Sequence, residues 1–196
     1  MALLIIPGLG DSGPEHWQTW LQQRAWRAWR VEQPDWHDAN LSRWSAAIGR
    51  SLRQRRHWRC AAQEPVIAVA HSFGCLALAR HLLDGEGIDA AMLVAPAAPR
   101  AVGVDDRLVT HALSCPAVVI GSANDQWASI DDTLRLANAW GAGLINLGQV
   151  GHLNVASGHG PWPLALRLTQ ILARRVAAQR RWQQEAMPAS TVNFAI

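Results

Sequence analysis

Six short aliphatic runs, Leu3–Ile6, Ala28–Glu32, Val66–Ala70, Ala90–Val94, Ala117–Ile120 and Leu144–Leu147, alternate with longer amphipathic segments. Most are near-continuous Val, Ile, Leu and Ala, the composition of strands covered on both faces. Ala28–Glu32 is the weakest of the set. Between the runs the spacing predicts helices from His16 to about Ala25, Leu41 to about Arg55, Phe73–Leu83, Asp131–Trp140 and Pro161 to about Gln183. Pro14 and Pro161 stand near helix starts and Gly85 and Gly141 near helix ends, as helix chemistry favours. Segment 95–114 has room for one short helix at most. This alternation points to an α/β fold: a three-layer α-β-α sandwich around about six parallel strands.

The chain has 196 residues, 49% of them hydrophobic and 17% charged, which suits one domain with a sizeable core. That domain is expected over 1–183, with a polar tail over 184–196 that contains Pro188. All 18 basic residues are Arg, so Schiff-base chemistry and a P-loop phosphate lysine are excluded. The one dense basic run, Arg50, Arg53, Arg55, Arg56 and Arg59 with His57 and Trp58, reads as a solvated helix end. No nucleic-acid partner is expected from it. Cys60, Cys75 and Cys115 lack metal or C-x-x-C spacing and suit packing roles in a reducing compartment. The apolar N-terminus stops at Pro7-Gly8, too short for a signal peptide or a membrane span. A cytoplasmic protein with no membrane partner is expected.

Two glycine motifs compete for the function. Gly8-Leu9-Gly10-Asp11-Ser12-Gly13 is a literal G-x-G-x-x-G after a strand, with Glu32 near the position of a ribose-binding acid. Taken alone it suggests a dinucleotide-binding oxidoreductase. In such a turn, however, the helix is under way by the third glycine. Here Pro14 follows Gly13 and is best tolerated in a first helical turn, so the helix should begin later.

The second motif, Ala70-His71-Ser72-Phe73-Gly74, follows one aliphatic run and opens a helical segment. Strand, tight turn and helix form the context of a nucleophile elbow. The serine then sits on a strained turn, and the positions two before and two after it must be small. Ala70 departs from the usual glycine but remains the smallest replacement. The plain alternative is a β-α turn with Ser72 as an N-cap.

A serine nucleophile needs a base and a group that orients the base. Asp125 follows the run Ala117–Ile120, and His152 follows Leu144–Leu147, one strand later. All three candidates therefore fall at C-terminal ends of parallel strands, where open α/β sheets bind ligands, in the order Ser, acid, His. Asp105 and Asp106 rank second as the acid, and His159 is the rival base. Asp131 and Asp132 suit a first helical turn. His71 reads as an elbow packing residue pointing away from the chemistry. The histidines form no H-E-x-x-H and no Cys/His pair of metal spacing, so neither a metal nor a cofactor is expected.

With these positions placed, the sequence resembles the small serine-hydrolase family of the α/β-hydrolase fold that includes bacterial YdeN and retinoblastoma-binding protein nine. The matching blocks are Ile5-Ile6-Pro7-Gly8-Leu9-Gly10 with His16-Trp17-Gln18-Thr19-Trp20, His71-Ser72-Phe73-Gly74-Cys75, Ser122-Ala123-Asn124-Asp125 and Gly151-His152-Leu153-Asn154. The resemblance implies a minimal hydrolase with sheet order 2-1-3-4-5-6 and no lid domain. It also implies that the loop after the first strand supplies an oxyanion donor. Leu113-Ser114-Cys115-Pro116-Ala117 ends in Ala and so departs from the L-x-C-x-E retinoblastoma-binding motif.

The expectation is acyl transfer to water on small esters, thioesters or amides. Ser72 is the nucleophile, His152 the base and Asp125 its orienting acid, with the backbone N–H groups of Leu9 and Phe73 as the oxyanion hole. Leu9, His16, Trp17, Phe73, Trp127 and Trp162 are the candidate substrate-pocket residues. Trp26, Trp29, Trp44, Trp58, Trp140 and Trp182 read as packing or surface residues. The partner is a small acyl substrate, and the protein is a monomer or small homo-oligomer. The rival functions are the dinucleotide oxidoreductase and a non-catalytic binding protein on a hydrolase scaffold.

Overall fold

A computed structural model describes residues 1–55, 64–85 and 87–186. Arg56, His57, Trp58, Arg59 and Cys60 of the sequence reading lie outside the described residues, as does the expected tail from 187 onward. Six strands are present: β1 (Ala2–Ile6), β2 (Ala28–Arg30), β3 (Val66–His71), β4 (Ala90–Val94), β5 (Ala117–Gly121) and β6 (Gly143–Asn146). Every pairing is parallel, and the order is β2-β1-β3-β4-β5-β6. The strand order reverses between β1 and β3, which opens a crevice at the strands' C-terminal ends.

Side chains alternate across the sheet because successive residues of a strand point to opposite faces. Leu4, Ile6, Ala68, Ala70, Ala91, Leu93 and Val119 face one layer; Leu3, Ile5, Ile67, Val69, Met92 and Ile120 face the other. The first layer holds α2 (Leu41–Gln54), α3 (Phe73–Asp84) and α4 (Ile130–Trp140); the second holds α1 (Trp17–Arg24) and α5 (Pro163–Ala186). In the first layer Trp44 of α2 meets Phe73 of α3 edge to face at 5.0 Å, a contact worth about 0.5–1.5 kcal/mol beyond burial. Both rings are buried, so α2 and α3 are pinned together behind the turn that carries Ser72. The fold is the minimal α/β-hydrolase architecture.

Three details differ from the sequence expectation. β2 is three residues long because pairing with β1 ends after Arg30, and Val31 makes the last backbone bond to Ile5 before Gln33-Pro34 turns the chain away. Segment 95–114 contains two 3-10 turns, Pro99–Val102 and Asp106–Leu108, where one short helix at most was expected. The last helix starts at Pro163 instead of Pro161 and continues through 183 to Ala186. No helix of the described residues is long and apolar enough to cross a membrane.

Candidate active site

Ser72 lies between β3 and α3 with φ +53° and ψ −124°, a left-handed conformation that a side chain rarely adopts. Such a residue typically stores about 1–3 kcal/mol of strain, which the surroundings must hold. Its N–H donates to the Val94 carbonyl at 3.0 Å, fixing the turn to the neighbouring strand. The turn also passes close to the chain after β1. A methyl group at Gly8 would stand 2.8 Å from the Ser72 Cβ. The backbone at Gly8 and Leu9 therefore crosses directly over the serine.

Three side chains join in series across this crevice. The Ser72 hydroxyl lies 2.9 Å from Nε2 of His152, and Nδ1 of His152 lies 2.9 and 2.8 Å from the two carboxylate oxygens of Asp125. Asp125 is held in turn by the Trp127 N–H, which donates to Oδ1 at 2.8 Å. The His152 and Asp125 side chains are only 7% and 3% exposed, so their mutual attraction is little screened by water. In this arrangement the carboxylate accepts a hydrogen bond from Nδ1–H, which leaves the unprotonated Nε2 facing the serine hydroxyl.

The rival residues are occupied elsewhere. Asp105 accepts from the Arg107 N–H, and Asp106 pairs with Arg135 at 3.2 Å. Asp132 closes a capping box with Ser129 and takes both arms of Arg100 at 2.6 and 2.7 Å, which holds its carboxyl below the usual range. His159 contacts the Ser157 carbonyl and the Trp162 ring.

A cavity of about 330 Å³ opens over Ser72 and His152, walled by Leu9, Asp11, His16, His71, Val102, Gln126, Trp127 and Asn154. Leu9, His16 and Trp127 of the expected pocket residues stand on this wall. Trp17, Phe73 and Trp162 do not. Trp17 is wholly buried and donates its indole N–H to the Leu153 carbonyl at 2.7 Å, beneath the cavity floor. The Phe73 side chain points into the core against Trp44, leaving only its backbone at the site. Trp162 packs edge-on to Trp17 at 5.1 Å behind it. Phe73 is the first residue of α3, so its N–H is among the donors that a helix start leaves without an intrahelical acceptor.

His71 is the main correction. It lines the cavity, with its ring 4.9 Å from that of His152, and its Nε2–H donates to the His152 carbonyl at 3.0 Å. Burial, aided by the neighbouring imidazoles, pushes its pKa well below the ordinary histidine value. His16 meets it edge to face at 5.0 Å and is lowered to about 4 by burial and by Arg30. His16 also caps α1, its Nδ1 accepting the Gln18 N–H at 3.1 Å. Two neutral imidazoles thus stand in a row beside His152. Asp11, Gln126 and Asn154 were missed because they sit on irregular loops, and Val102 because it ends a single 3-10 turn; neither setting carries a periodic signal. The adjacency of His71 to Ser72 was a usable clue, but the reversed backbone at Ser72 hid which way the ring turns.

The first glycine loop lacks the features of a dinucleotide site. Its helix begins only at Trp17, three residues beyond Pro14, and the helix N-terminus is already capped by His16. A side chain at Gly13 would meet nothing within 4 Å, whereas the third glycine of that fingerprint permits close helix–strand packing. Among the described residues no group of three or more His, Cys, Asp or Glu could hold a metal ion.

Comparison with known proteins identifies the family and the fold. The serine hydrolase family model matches residues 3–171. A YdeN-like hydrolase from Pectobacterium atrosepticum is 35% identical, with 89% of this chain and 91% of that one covered and a TM-score of 0.78. The ydeN gene product of B. subtilis is 21% identical over 87% and 97% of the two chains, with a TM-score of 0.70. Esterase 2 of Thermogutta terrifontis, in a structure phosphoramylated by tabun, shares the fold at 14% identity, covering 89% of this chain and 83% of that one, with a TM-score of 0.67. No curated protein matches the sequence.

Proposed function

The chain belongs to the serine hydrolase family, and from that premise we propose that it transfers acyl groups to water through a covalent intermediate on Ser72. The observation that carries the reading is the unbroken hydrogen-bonded series from Ser72 through His152 to Asp125, at the floor of an open cavity. His152 removes the hydroxyl proton as Ser72 Oγ attacks the carbonyl carbon. The resulting imidazolium is stabilised by the Asp125 carboxylate and then protonates the leaving group. Water repeats the sequence against the acyl-enzyme and restores the serine.

The developing oxyanion is held by the backbone N–H groups of Phe73 and Leu9. Phe73 stands at the positive end of α3, and Leu9 lies on the crossing loop above Ser72. The 330 Å³ cavity and its mixed wall of Leu9, Val102, Trp127 and neutral imidazoles suit small uncharged acyl groups carried as esters, thioesters or amides. The hydrolase domain is taken as 1–183.

A fluorophosphonate probe tests the assignment. The wild-type protein should be labelled covalently, and Ser72→Ala should abolish labelling and ester turnover together. Labelling that persists in Ser72→Ala, or a wild-type protein that does not react, overturns the assignment.

A further inference from the structure

β5 and β6 stop at Gly121 and Asn146, yet the chain segments that follow them stay joined. The Leu147 N–H donates to the Gly121 carbonyl at 3.0 Å and the Ala123 N–H to the Gly148 carbonyl at 2.7 Å. Beyond that point side chains replace the backbone as acceptors. The Ser122 hydroxyl accepts the Val150 N–H at 3.1 Å, and the Asn124 side-chain oxygen accepts the Gly151 N–H at 2.7 Å. The next rung is Asp125 to His152 itself. The ladder therefore runs through consecutive pairs, Asn124 with Gly151 and Asp125 with His152.

We propose that Asn124 is a positioning residue, setting the height of the His152 loop against Asp125 through the Gly151 N–H. The base loop needs such a constraint because its backbone is irregular. Gly148, Gly151 and Leu153 all have positive φ, and a methyl group at Gly151 would stand 2.6 Å from the Ser157 Cβ. Asn124 has the right chemistry for the task. Its carbonyl oxygen takes both the Gly151 N–H and the Ser122 hydroxyl at 2.9 Å, so one acceptor ties the base loop to the buried end of β5. Without it the Gly151 N–H turns to water, and His152 loses its fixed distance to both Asp125 and Ser72. Misplacement on the scale of an ångström costs about 10²-fold in rate even when no reacting group is removed.

The inference rests on the hydrolase reading, and its test separates the two. Asn124→Ala should lower kcat for an ester substrate by about 10–100-fold with KM changed less than threefold. Asn124→Asp keeps an oxygen acceptor and should recover most of that loss. Its added charge beside Asp125 should also move the acid limb of the kcat/KM profile to higher pH, because it favours the imidazolium. An independent readout needs no turnover: the low-field proton resonance of the His152 Nδ1–H bond to Asp125 should survive in Ser72→Ala and broaden or vanish in Asn124→Ala. Failure of the hydrolase reading appears as probe labelling that does not depend on Ser72, whatever the resonance does. An unchanged kcat and resonance in Asn124→Ala overturns the positioning role, as does equal impairment of Asn124→Ala and Asn124→Asp.

Discussion

Gly74 sits against the end of β1 so closely that a methyl group there would stand 2.3 Å from the Pro7 carbonyl oxygen and 2.7 Å from that of Ile6. Both obstacles are backbone, at the end of β1 and just beyond it, and neither can swing aside as a side chain could. Gly74 is thus the residue that lets the nucleophile turn pass under the crossing loop. Gly74→Ala should destabilise the protein by at least about 1–3 kcal/mol, as overpacking does, and should displace Ser72 from His152. Urea unfolding together with probe labelling checks both effects. Gly143→Ala provides the control: a methyl there meets nothing within 4 Å, so its stability should stay within about 0.5 kcal/mol of wild type. Equal behaviour of the two variants would remove the steric argument.

Asp125→Asn tests the acid separately from the nucleophile. The amide oxygen can still accept the Trp127 N–H, so the loop should keep its shape. Its amide nitrogen, however, donates where the carboxylate accepts, which favours the wrong tautomer of His152. We expect kcat to fall by about 10⁴-fold, with substrate affinity and the melting temperature near wild type. A loss below tenfold would mean that another group orients the imidazole.

The parts of this molecule fixed by strand composition and local motif were readable from its sequence. The aliphatic runs became strands because burial on both faces demands apolar side chains without alternation, and Ser72, Asp125 and His152 fell at the strand ends that those runs define. What escaped was set by tertiary contact. Trp17 and Trp162 flank the motif loops in sequence, yet Trp17 is wholly buried with its indole N–H on the Leu153 carbonyl, and Trp162 packs against it. Phe73 adjoins the nucleophile, but the first turn of a helix sends its side chain toward the α2 interface. Asp11 reaches the cavity from a loop and Val102 from a single 3-10 turn, whose paths no residue pattern encodes.

Trp17 supplies the next test. Its indole N–H bond to the Leu153 carbonyl is buried, so Trp17→Phe keeps an aromatic ring and strands the acceptor. An unsatisfied buried polar group costs about 1–3 kcal/mol, and here the cost falls on the residue next to His152. Lower stability in urea together with a reduced rate of probe labelling is expected. A labelling rate unchanged in the folded protein would show that the floor does not steady the base.

His16 makes stability depend on pH over a defined window. Burial and Arg30 lower its pKa to about 4, against 6.5 for the free side chain, while Asp11 pulls in the opposite direction. The unfolded chain therefore binds the proton first as pH falls. Its contribution to stability is complete above pH 6.5, is lost progressively toward pH 4 and changes little below that. His71, also lowered, acts in the same direction. The shift at His16 corresponds to about 3 kcal/mol in all, of which roughly half should disappear between pH 6.5 and pH 5. Because Nδ1 of His16 caps α1, Asn is the replacement that keeps an acceptor for the Gln18 N–H while removing the titration. Urea midpoints measured at these two pH values should lie further apart for the wild type than for His16→Asn, in which His71 still titrates. Equal slopes in both proteins would place the acid sensitivity elsewhere, with His71 the next group to substitute.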